Sequence, residues 1–195
     1  MSRRSRKPLA LTVAAIALTA AAVGAGVLIH RPQQPAPAPA PLAASLTSVD
    51  TTMLVVRRDP FCGDVSAADA AAALGGPVRS ATAYAPGQQA RLGSAEDVAD
   101  EHGCQWTAAH GASAAAWVFA PPVTPAWARQ VAADRPAGCR AIHAPAYGEP
   151  TSAYSCDGAI TLSGLFGDAW LSCRLDTHDV ALAGRWCLAV ARAAN

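Results

Sequence analysis

The hydrophobic and polar positions divide the chain into two unlike stretches. From Leu9 to Ile29, 21 successive positions carry no charge. Beyond Asp50 the apolar residues recur in short periodic runs bounded by Gly, Pro and Asp. Val78–Tyr84 alternates as a strand does. Gly103–Ala108 and Ala114–Ala120 read as two strands around Gly111. Ser152–Cys156, Ala159–Phe166 and Ala169–Leu175 read as three more. Asp157-Gly158 and Gly167-Asp168 are turn pairs between those last three. Ser66, with Asp69 three residues on, opens a helix that Gly75-Gly76-Pro77 stops. Thr124-Pro125 starts a second, carrying Trp127 and Val131 four apart and ending near Arg135-Pro136. Asp179–Ala194 forms a third. Thr51–Val56 predicts a first strand, residues 94–101 a solvated helical turn, and Cys139–Pro150 a loop. The expected fold is α+β: an antiparallel sheet with helices packed on one face, disulfide-stapled and preceded by one transmembrane helix.

The uncharged run is about 31 Å long as a helix, enough to cross a hydrocarbon core of roughly 30 Å. Arg3, Arg4, Arg6 and Lys7 precede it and no acid occurs in residues 1–44. Such a basic flank stays cytoplasmic. The alternative is a cleaved signal peptide, whose apolar region is usually shorter, and the Ala-Val-Gly-Ala run at 22–25 keeps that alternative open. Residues 32–41 alternate Pro with Ala and Gln, which favours a polyproline II spacer. A ligand for a proline-binding domain is its rival reading. The organisation expected is a cytoplasmic basic head at 1–8, a signal anchor at 9–29, a Pro/Ala-rich linker at 30–49, and an extracytoplasmic disulfide-rich domain at 50–195. The partner of residues 9–29 is the cytoplasmic membrane, and the location is the cell membrane, single-pass, with the N-terminus inside.

Composition then sharpens the outer part. Residues 50–195 hold only 24 Leu, Ile, Val and Phe among 146. That falls below the roughly 20% at which a core becomes thin. Five Trp help, and six Cys supply the rest. Cys62, Cys104, Cys139, Cys156, Cys173 and Cys187 include no Cys-x-x-Cys pair, which weighs against zinc and thioredoxin-like chemistry. An even number in an exported domain reads as three disulfides, among 15 possible connectivities. One pair follows from periodicity. Cys173 shares the apolar side of its strand with Ala169, Leu171 and Leu175, and Cys187 lies in the helical stripe Val180, Ala183, Val190 and Ala194. Both point at one interface.

Asp59-Pro60-Phe61-Cys62, then Val65-Ser66, an Ala-rich helix, Leu74-Gly75 and Cys104-Gln105-Trp106 form a distinctive series. It resembles a family of actinobacterial exported proteins of unknown function, many of them lipoproteins. Their domain begins Asp-Pro-Cys, has a helix ending Leu-Gly, and returns to a Cys-x-Trp strand. The resemblance spans roughly residues 59–120. It implies an envelope location and the pair Cys62–Cys104, and it implies no reaction. Cys139–Cys156 then follows by elimination. This chain departs from the pattern in lacking a lipidated Cys and in carrying four further Cys.

Local catalytic signatures are absent from the sequence: no Gly-x-Ser-x-Gly, His-Glu-x-x-His, phosphate-binding Gly loop or EF-hand loop occurs. The best local acid–His cluster is Asp176, His178 and Asp179, where a carboxylate beside a His could orient a general base or a metal. The competing reading is a helix start, where acids complement the dipole. His102, His110 and His143 are dispersed, and the acidic run 96–101 reads as a solvated face. The Trp residues read as core before cleft. Residues 45–195 carry a net −4, too little for strong steering and the wrong sign for nucleic acid. The expected function is a membrane-tethered extracytoplasmic binding or interaction module of the cell envelope, with no catalytic, cofactor-binding or metal-binding residue, no cofactor and no nucleic acid. Its partner is an unidentified envelope protein or ligand. The alternative is an envelope hydrolase with its acid–His site near Asp176 and His178.

Overall fold

The computed structural model describes Leu42, residues 44–92 and residues 95–195. The predicted span at Leu9–Ile29 and the Pro-rich run at 32–41 lie outside the described residues. Among the described residues no helix is long and apolar enough to cross a membrane.

The described chain builds three helices and nine strands. In order they are α1 (Ala67–Leu74), β1 (Val78–Tyr84), β2 (Gln89–Leu92), β3 (Ala95–Val98), β4 (Glu101–Ala108) and β5 (Ser113–Phe119). Then come α2 (Pro125–Ala133), β6 (Arg140–Ala141), β7 (Thr151–Cys156), β8 (Ala159–Phe166), β9 (Ala169–Asp176) and α3 (Val180–Ala193). Seven strands form one antiparallel sheet in the order β1-β4-β5-β9-β8-β7-β6, and β2 and β3 form a separate hairpin. The meander β6 to β9 thus folds back to pair β9 with β5. The helix caps act as the sequence predicts. Ser66 Oγ accepts from the Asp69 amide at 3.0 Å, Thr124 Oγ1 from the Trp127 amide at 3.3 Å, and Gly75 closes α1 at φ 68°.

Three elements differ from expectation. Within Cys139–Pro150, expected as a loop, Arg140–Ala141 pairs with Tyr154 and Ser155 as the edge strand β6, which the sheet edge supplies and no local pattern signals. Thr51–Val56 is not a strand. Asp50 caps a 3-10 turn at Thr51–Met53, its carboxylate accepting from the Thr52 amide at 3.0 Å and hydroxyl at 2.6 Å. Thr51 Oγ1 turns inward, donating to the Ala146 carbonyl at 3.2 Å and accepting from the Gly148 amide at 3.0 Å. Local side-chain bonds thus take the place of a ladder. The described residues of 94–101 are not helical either. The backbone pairs as β3 against β2, with Gln89 opposite Val98, and Glu101 already belongs to β4. A nearby partner strand satisfies these amides better than a short isolated turn does.

The sheet sorts its side chains by parity. Cys104, Trp106, Ala116, Val118, Leu162, Leu171, Cys173 and Leu175 enter one large core with α1 and α3. Trp186 at its centre is fully buried and meets Trp106 edge-on at 5.1 Å. Leu165 and Trp170 point the other way and pack with Val123 and Ala128 of the α2 region in a second, small core. The helices therefore do not share one face. α1 and α3 cover one side and α2 the other, because β8 and β9 carry apolar residues at odd and even positions at that end. Both strands are buried along nearly their whole length as a result.

The cysteines pair as Cys62–Cys104, Cys139–Cys156 and Cys173–Cys187, with Cα separations of 5.6, 4.6 and 5.6 Å. The first and third join the large core. Cys156 opposes Ala159 on the α2 side of the sheet, so the second holds the segment that follows α2.

Candidate functional site

The acid–His cluster does not converge into a site. Asp179 Oδ1 caps α3, accepting from the Ala181 and Leu182 amides at 2.8 and 3.1 Å. Asp176 Oδ2 accepts from the Ser113 amide at 2.9 Å and hydroxyl at 2.7 Å, and its other oxygen lies 3.3 Å from Arg174. His178 is exposed beside the Gly158 turn. Among the described residues, no hydrogen bond or ion pair links His178 to either acid. His110 lies against Gly76, and His143 is exposed in the loop before β7. No group of three or more His, Cys, Asp and Glu with metal-binding geometry occurs among the described residues.

The acidic run separates into distinct roles. Asp97 accepts from the neighbouring Val98 amide at 2.7 Å. Glu101 is only 7% exposed, although it was expected on a solvated face. Its Oε1 accepts the Tyr84 hydroxyl at 3.3 Å, and Tyr84 lies flat over Gly103, where a Cβ would collide with the ring. Burial pushes Glu101 above the ordinary carboxylate range, although the Tyr84 hydrogen bond opposes this. Burial also raises the Tyr84 phenol, and the Glu101 charge adds to that shift.

Four of the five Trp residues are buried or half-buried in the sheet and α3. Trp127 is 41% exposed. It sits one position from Ala128, which is fully buried against the sheet, so its ring lies at the edge of the small core. Phe119 meets it edge-on at 5.5 Å and Trp170 at 6.5 Å. Around it lies a cleft of about 360 Å³ lined by Asp100, Phe119, Pro121, Pro122, Val123, Thr124 and Trp127. The wall is a tight loop held from outside. Arg58 Nη1 donates to the Ala120 carbonyl at 2.6 Å, its Nη2 lies 3.3 Å from Asp168, and the Val123 amide donates to the Asp168 carbonyl at 2.8 Å. Sequence reasoning placed the Trp residues mainly in the core and missed Asp100, Phe119 and Pro121-Pro122. The crowding of one Phe, three Pro and one Trp into residues 119–127 was the available signal.

A second groove of about 320 Å³ runs between the start of α1 and α3. Arg185 and Arg192 face Asp64 and Asp69 across it, so its charges compensate one another. The aromatic cleft is the more apolar of the two. Its described lining offers apolar rings, one carboxylate and one hydroxyl, and includes no His. No protein-family model, curated protein or solved structure matches the chain.

Proposed function

We propose that the chain is a membrane-tethered, extracytoplasmic binding or interaction module of the cell envelope that performs no catalysis. The observation that carries this reading is the cleft around Trp127: a large aromatic held in place by two neighbours yet left open to solvent. Three paired cysteines favour an oxidising compartment. The basic head and uncharged run at 1–29 favour a tether with its N-terminus inside, and the Pro-rich run favours a stalk. The Asp59 to Trp106 pattern favours kinship with the exported actinobacterial family. The hydrolase alternative needs Asp176 or Asp179 beside His178, and both acids are engaged elsewhere.

Two measurements test this. Protease added to intact protoplasts removes residues 50–195 and spares a membrane-bound stub; a protected domain overturns the topology. A photo-crosslinking residue at position 127 captures an envelope component in living cells, while the same group at exposed Gln105 on the open part of the sheet does not. Equal labelling at both positions removes the case for the cleft.

A further inference from the structure

Three features of the cleft narrow the chemistry of what fits it. Four rigid rings line it: Phe119 and Trp127, which meet edge-on, and Pro121 and Pro122. Phe119 and Trp170 brace the indole, so its open face is presented with little further loss of rotamer freedom. Flat aromatic walls suit pyrrolidine rings, and a polyproline II segment brings little conformational entropy of its own to lose. Such a segment offers carbonyl acceptors and few donors. The Trp127 indole N–H makes no hydrogen bond among the described residues, and the residue is 41% exposed. Asp100, the one ionisable group among the described lining residues, sets a carboxylate at the rim. A saccharide would ask for several lining polar groups. Among the described lining side chains the polar groups are the Asp100 carboxylate, the Trp127 indole N–H and the Thr124 hydroxyl, which already accepts from the Trp127 amide.

We propose that the cleft takes a proline-rich, polyproline II segment of another envelope protein, with a basic side chain beside the prolines set against Asp100. This rests on the binding reading above and names its ligand class. The segment lies along the Phe119–Trp127 wall, packs prolines on the rings and accepts the indole N–H.

The test uses the full, oxidised chain in detergent micelles with ¹⁵N-labelled Trp, reading the indole resonance that Trp127→Phe removes. The probes are decaproline flanked by two Arg, decaproline flanked by two Glu, and chitohexaose. The Arg-flanked peptide shifts the Trp127 resonance saturably, and Trp127→Ala weakens its binding, followed by calorimetry, by at least about tenfold. Trp127→Phe, which keeps the wall and loses the donor, weakens it less, and this milder variant serves should Trp127→Ala disturb folding. The Glu-flanked peptide binds about two- to fivefold more weakly, and Asp100→Asn equalises the two. Equal binding of both peptides to the native chain overturns the role of Asp100. A shift with chitohexaose and with neither peptide overturns the ligand class and leaves the binding reading standing. No shift with any probe, together with no crosslink at position 127, overturns both.

Discussion

The two sides of the seven-stranded sheet are packed differently. On the α1 and α3 side the core is closed, with Trp186, Trp106 and two disulfides packed into one contiguous cluster. On the α2 side the core is a small group around Leu165 and Trp170, and the cluster ends at an open ring. The same residue type does opposite work on the two sides. A buried Trp removes on the order of 150–250 Å² from water and contributes through that burial. Trp127 is left half in solvent, where it contributes less to folding and remains available for contact. Stability is concentrated on one side, which leaves the other able to carry an exposed aromatic.

The sharpest way to break this comparison is to truncate one Trp from each side. Trp186→Ala is expected to cost about 3–5 kcal/mol in urea unfolding, since the side chain is fully buried. Trp127→Ala is expected to cost about 1 kcal/mol, roughly the edge-on contacts with Phe119 and Trp170. Similar costs at both sites would mean that the cleft is part of the structural core. The disulfides provide the next test. Their loops are alike, 14 residues for Cys173–Cys187 and 17 for Cys139–Cys156, so chain entropy predicts about 3 kcal/mol for each. Replacing the buried Cys173 and Cys187 by Ala adds lost packing, whereas Cys139 and Cys156 are partly exposed. The first double variant should melt well below the second.

Two smaller effects sharpen the picture. Tyr147 is fully buried against Phe166, and its hydroxyl has no hydrogen-bond partner among the described residues. Tyr147→Phe should therefore leave stability unchanged or raise it by about 1 kcal/mol. A clear loss would show that the hydroxyl is engaged after all. Burial also raises the Tyr147 phenol, so its proton is held more tightly in the folded state than in the unfolded one. Stability then falls as pH rises above the ordinary phenol range, and Tyr147→Phe should soften that fall. Glu101 follows the same sign at lower pH. Its folded-state pKa lies above the unfolded value, so the native state binds more protons, and stability declines as pH rises through the interval between the two. Glu101→Gln keeps an acceptor for Tyr84 and should flatten the stability profile across that interval. An unchanged slope would place the titration elsewhere.

Much of the large core was legible because its signals are local or periodic. Ser66, Thr124 and Asp179 each cap the helix that they precede, within three residues of the amides that they bind. Asp157-Gly158 turns β7 into β8 with both residues at positive φ. The pairing of Cys173 with Cys187 was readable because strand parity and helical stripe can be counted along the chain. The cleft was less legible. Phe119 to Trp127 is a local crowd of rings, but whether Trp127 points inward or outward depends on which side of the sheet α2 covers.

The sequence by itself determined most element types and boundaries, the helix caps and the antiparallel class, since period, turn chemistry and capping act over a few residues; Thr51–Met53, Ala95–Val98 and Arg140–Ala141 are the exceptions. Tertiary structure alone decided the rest. It placed α2 on the side opposite α1 and α3, paired residues 95–98 with 89–92, and buried Glu101 under Tyr84. It also brought Asp100 from the start of β4 to the Trp127 ring of α2. These outcomes depend on which surfaces meet after the chain has folded back on itself. That choice is set by the summed burial of distant side chains, which no short window of the sequence contains.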